Sequence, residues 1–82
     1  MNYAMKERLR FIDCLVQYQG HIFREPIMAF FGVSSAAATR DLHAYITARP
    51  NNLVYRPSEK RYVKASSFSP LFDNNTQELI NE

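Results

Sequence analysis

The stretch REPIMAFFGVSSAAATRDLHAY, Arg24 to Tyr45, holds two helical patterns with one glycine between them. The first pattern starts near Arg24. Glu25 suits the positive end of a helix dipole, and Pro26 is tolerated in a first turn because its missing N–H would be unpaired there anyway. Ile27, Phe30 and Phe31 form the expected buried side. Gly32 stops the helix, since a tight interhelical turn needs a residue that accepts positive φ. Val33 plugs the angle between the helices, and Ser34 is a strong N-cap for the next one. On a wheel of about 100° per residue, Ala38, Leu42, Tyr45 and Ile46 gather on a core side and Ala36, Arg40, His43 and Thr47 on the opposite side. Ser35, Ala37 and Thr39 flank the two near the N-terminal end, and Pro50 closes the helix. Two helices joined this tightly read as a helix-turn-helix.

Upstream, Leu9, Ile12 and Val16 recur at helical spacing with a second stripe of Phe11, Leu15 and Tyr18. Lys6, Glu7, Arg10, Asp13 and Gln17 mark the expected wet side, and Gly20 is placed for a left-handed cap. His21-Ile22-Phe23 is too short for a helix and reads as a one-bridge strand for a later hairpin. Downstream, Leu53–Arg56 and Arg61–Lys64 have the β-branched and aromatic content of strands, with Pro57-Ser58-Glu59-Lys60 as the turn between them. The expected fold is mainly α with a small β-hairpin, a winged helix-turn-helix of three helices plus a wing. Residues 1–65 form that domain. Residues 66–82 read as a linker or the start of a following helix: Phe68, Pro70, Leu71 and Phe72 are apolar enough to dock, Asp73 to Thr76 resemble a cap, and a short helix is expected from Gln77 to Ile80. The sequence is read as the N-terminal part of a longer protein.

Composition limits the function classes. The 82 residues are 46% hydrophobic and 13% aromatic, enough for one small core. Cys14 is the only cysteine, which rules out an intramolecular disulfide and a cysteine-pair zinc site and fits a cytoplasmic location. The start lacks a signal-peptide pattern, and no apolar run has the length of a membrane span. All ten basic residues lie between Lys6 and Lys64 against five acids, while the chain from Ala65 onward has three acids and no base. A basic body of this kind suits a polyanionic partner. Two glycines cannot build a phosphate loop, and His21 and His43 have no carboxylate cluster beside them, so neither an enzyme nor a cofactor is expected.

The expected partner is double-stranded DNA, with the third helix in the major groove. Arg40 can pair bidentately with guanine, or alternatively contact phosphate or pair with Asp41 or the wing. Asp41 is expected to orient a neighbouring basic residue. Ser34, Ser35 and Thr39 offer hydroxyls at the reading end, and Ala36 and Ala37 allow close backbone approach or contact with a thymine methyl. His43 is placed for a phosphate, although solvation is the simpler reading, and Arg56, Lys60 and Arg61 form a basic wing tip. The rival from another class is a winged helix for protein–protein association, with Ala36 to Thr39 as the docking surface.

RLRFIDCLVQYQGHI, the turn FFGVSSAAATRDLHAY, the hairpin LVYRPSEKRYV and the closing FSPLF together resemble the N-terminal winged-helix domain of bacterial WYL-domain transcriptional regulators, within the group that represses anti-phage defence operons. The similarity covers roughly residues 8 to 72. It implies a homodimer on an inverted-repeat operator and a downstream domain that takes any small-molecule or nucleotide effector. Two departures stand out: Phe23 occupies the place of a polar cap, and Ala36-Ala37-Ala38 leaves few side chains for base-specific hydrogen bonds.

Overall fold

The computed structural model describes residues 2–74. Its elements run α1 (Tyr3–Gln19), β1 (His21–Ile22), α2 (Arg24–Phe31), α3 (Ser35–Ala48), β2 (Leu53–Arg56) and β3 (Arg61–Lys64). The short helix expected from Gln77 lies outside the described residues. No helix among those described is long and apolar enough to cross a membrane.

Local chemistry fixes the ends of the helices. Asn2 caps α1 by accepting the Met5 N–H at 2.8 Å. Gly20 ends it at φ 83° and Gly32 ends α2 at φ 65°, backbone conformations that favour residues without a Cβ. Phe23 gives α2 no side-chain cap, as its sequence implied. The three-stranded sheet has the order β1-β3-β2, antiparallel throughout. Two residues of β1 pair with β3, one more than the single bridge expected, and they fasten the end of α1 to the wing.

Leu9, Ile12 and Val16 of α1, Ile22, Ile27 of α2, and Ala38, Leu42 and Tyr45 of α3 form the core. Phe68, Leu71 and Phe72 pack against it, so the docking expected of this segment is found and its target is the domain itself. Three assignments change. Ile46 is only half-buried. Phe30, expected inside, is 68% exposed. Its ring stacks on Phe11 with centroids 4.6 Å apart and meets Phe31 edge to face at 4.9 Å, and these contacts leave most of it in solvent.

The third correction is Asp13, expected on the wet side and found completely buried. Its carboxylate accepts the Tyr45 hydroxyl at 2.5 Å, the Leu71 N–H at 3.0 Å, the Phe72 N–H at 3.1 Å and the Asn74 side-chain N–H at 2.6 Å. A buried carboxylate is tolerable only when donors surround it in this way. Asn52, also buried, donates to the Tyr45 hydroxyl at 3.0 Å and to the Ser69 carbonyl at 2.8 Å, and accepts the Ser69 N–H at 2.9 Å. Residues 69–74 are thereby held as a strap across α1 and α3.

Candidate nucleic-acid interface

A local cap starts α3, and two contacts to α1 orient it. The Ser34 hydroxyl accepts the Ala37 N–H at 3.1 Å and caps the helix. Asp41, 2% exposed, meets the Arg8 guanidinium of α1 at 2.8 Å. Tyr45 completes the set at the buried node. Burial first, and then the hydrogen bond to Asp13, push the Tyr45 phenol above its ordinary range. Burial likewise raises the Cys14 thiol, with the neighbouring Asp13 charge adding to it, so this cysteine is not an activated nucleophile.

With Asp41 drawn inward, Arg40 stands on the outside. Asp41 does orient a basic residue, as expected, but that residue is Arg8. Among the described residues the Arg40 side chain forms no ion pair and no hydrogen bond, so neither Asp41 nor the wing holds it. Ser34, Ser35, Ala36 and His43 are exposed beside it, while Ala37 and Thr39 are half-buried. The Ser34 hydroxyl is already committed to the cap.

The wing is an antiparallel hairpin in which Tyr55 faces Tyr62 and Arg56 faces Arg61. Glu59 at its tip lies 2.7 Å from Arg61 and 3.8 Å from Arg56. Two of the three expected wing cations are therefore turned toward an acid of the same loop. The third, Lys60, has φ 53°, in the left-handed region that few residues other than glycine, asparagine and aspartate enter. A cation is thus kept at a position where glycine would be conformationally easier.

A groove of about 640 Å³ runs between the start of α2, the flank of α3 and the wing. It brings together Thr39, His43 and Lys60 from the candidate set and adds Arg24, Tyr55 and Tyr62. Ser34, Ser35, Ala36, Ala37, Arg40, Arg56 and Arg61 are not part of its lining. Arg24 and Tyr55 line this groove although the sequence reading did not single them out as candidates. The signal for Tyr55 was present, because a four-residue turn after Arg56 sets it opposite Tyr62 and gives both rings one face, with centroids 4.8 Å apart. No group of three or more His, Cys, Asp or Glu side chains able to hold a metal occurs among the described residues.

The family described as the BrxR transcriptional regulator winged helix-turn-helix domain matches residues 4–80. Relatives include proteins named DNA-binding transcriptional repressor CapW. The one from Stenotrophomonas maltophilia is 35% identical over 71 residues, covering 87% of this chain and 24% of that protein. The one from Escherichia coli (strain KTE188) is 34% identical over 70 residues, covering 85% and 23%. The one from Pseudomonas aeruginosa is 30% identical over 76 residues, covering 93% and 25%. The chain thus spans about a quarter of the length of the curated relatives it matches.

Proposed function

The chain belongs to the winged helix-turn-helix domain family of BrxR transcriptional regulators, and from that premise we propose that it is the sequence-specific DNA-binding domain of a transcriptional repressor. Arg40 carries the reading. It is an exposed cation without a partner among the described residues, on the outer face of a helix whose other side is fastened by Asp41 and Tyr45. Placed in the major groove, α3 presents Arg40 to a guanine, with Ser35 and Thr39 as further donors and Ala36 and Ala37 as close-approach positions. His43 and Lys60 reach phosphates, one from each side of the groove beside α3. Arg56 and Arg61 add phosphate contacts to the extent that DNA draws them from Glu59.

One such module makes few base contacts. Two modules spaced about one turn of DNA apart, roughly 34 Å, supply the rest. We therefore assign the protein a homodimeric mode on an inverted repeat. Phe68, Leu71 and Phe72 are spent on the domain's own core, which leaves them little surface to join protomers. Any small-molecule or nucleotide effector acts through parts of the longer relatives that these residues do not represent.

Selection of bound fragments from a random DNA pool tests the proposal, with an inverted repeat as the expected product. Arg40→Ala then loses discrimination at one base position by about 1 to 3 kcal/mol. Equal weakening on all sequences with a shallower salt dependence assigns Arg40 to phosphate instead. Loss of both heparin retention and salt-dependent DNA binding in the unmutated chain favours a protein-docking role.

A further inference from the structure

Tyr45 of α3 donates its hydroxyl to Asp13 and accepts from Asn52. Both partners hold the strap as well. Asp13 takes the N–H groups of Leu71 and Phe72 and the Asn74 side chain, and Asn52 clasps both backbone groups of Ser69. Arg49, at the end of α3, adds a longer contact of 3.5 Å to the Pro70 carbonyl. Asp13, Tyr45 and Asn52 are buried with the strap in place. If the strap lifts, the carboxylate loses three of its donors at once inside the protein, which is costly to leave uncompensated. Arg40 lies on the same helix as Tyr45, five residues or about one and a half turns away.

We infer that Asp13 is a positioning residue that couples the Ser69–Asn74 strap to the DNA-reading helix, so that a force or contact acting on the chain at residue 74 alters how α3 is held. The functional half of this inference rests on the DNA-binding reading. The coupling itself does not. Asp13 touches no DNA and acts through Tyr45, and the strap is the only segment that the side chains of both partners of that hydroxyl also hold among the described residues.

Native-state hydrogen exchange on the intact chain separates the two halves. Asn74→Ala removes the strap side chain that donates to Asp13 and Gln17, and leaves the apolar core cluster intact. It is expected to speed exchange at the Leu71 and Phe72 amides, and at the amides from Tyr45 to Arg49, by about tenfold, while Phe31 and Gly32 change by less than about twofold. In a Tyr45→Phe background the same substitution still opens the strap but no longer reaches α3. A purely structural role would give independent, additive effects in this double-mutant cycle. Strap amides that open while α3 stays protected, or an α3 response unchanged by Tyr45→Phe, overturn the coupling. Titration of a selected operator supplies the second arm. Asn74→Ala weakens specific binding several-fold with the salt slope unchanged, and the loss shrinks in the Tyr45→Phe background. Absence of any selected operator defeats the DNA-binding reading alone, and the exchange data still decide the coupling.

Discussion

Asp13 and Glu59 are both acids that gather several donors, and they stand at opposite ends of this molecule in more than position. Asp13 sits at the seam of α1, α3 and the strap, fully buried, with uncharged N–H and O–H donors around it. Glu59 sits at the wing tip, exposed, with two arginines beside it. Inside, each hydrogen bond has no competitor, and the geometry of α3 depends on all of them. Outside, water and salt compete, and the arginines can be handed to another anion. The same side-chain chemistry thus makes a fixed frame in one region and an exchangeable contact in the other.

The largest break in that comparison is Asp13→Ala. The change removes the acceptor of the Tyr45 hydroxyl, two part-buried backbone N–H groups and one Asn74 amide hydrogen, for an expected loss of about 3 to 5 kcal/mol. Denaturant unfolding measures it. A loss below about 1 kcal/mol would mean that the seam tolerates water and is not a sealed frame.

Tyr45→Phe comes next. It keeps the ring in the core and removes only the hydroxyl between Asp13 and Asn52, at an expected cost of about 1 to 3 kcal/mol. A pH dependence follows with a definite sign. The Tyr45 phenol is raised in the folded chain, so the folded state keeps this proton where the unfolded state loses it. Its contribution is fully present below the unfolded phenol value of about 10 and is lost as pH climbs above it. Unfolding curves of the unmutated chain should fall off above roughly pH 10, and Tyr45→Phe should flatten that fall.

The division between frame and contact also explains what could be read from sequence. The two glycines, the Ser34 cap, the Pro50 stop and the strand pair around Pro57–Lys60 are local signals, and each element they define is present with its expected type. Asp13 shows why the rest was hidden. It falls four residues after Leu9 and three before Val16, so its spacing already placed it on the core face, and only its charge argued for solvent. Its donors come from residues 45, 71, 72 and 74, and no pattern within α1 announces them. Phe30 failed in the other direction, since periodicity reports a helix face and not whether a neighbour exists to cover it. At the interface, the outward placement of Arg40 was legible from the wheel. The partnership of Asp41 with Arg8 was not, because the two lie on different helices.

Lys60 sharpens the contrast on the exposed side. Its left-handed backbone costs a residue with a Cβ about 1 kcal/mol relative to glycine. Lys60→Gly is therefore expected to raise stability by up to about 1 kcal/mol while weakening DNA binding and lowering its salt slope by close to one unit. Thermal unfolding and a salt titration read the two effects separately. A loss of stability would show that the lysine side chain packs in the hairpin and contributes to the frame.

Glu59→Gln is the smallest change and the closest counterpart to the loss of Asp13. Its ion pairs are solvent-exposed, and pairs of that kind contribute roughly 0 to 1 kcal/mol, so the unfolding midpoint should move little. Binding should respond more than stability. With the acid neutralised, Arg56 and Arg61 meet phosphate without first leaving a competing anion, and each additional phosphate neutralised steepens the salt dependence by close to one unit. The expected outcome is tighter binding to all DNA sequences at low salt and a lower ratio of operator to random-sequence affinity, because the gained contacts carry no base information. If Glu59→Gln instead destabilised the chain by as much as Tyr45→Phe, the wing would be a second frame, and the hairpin's charges would be there to hold its shape.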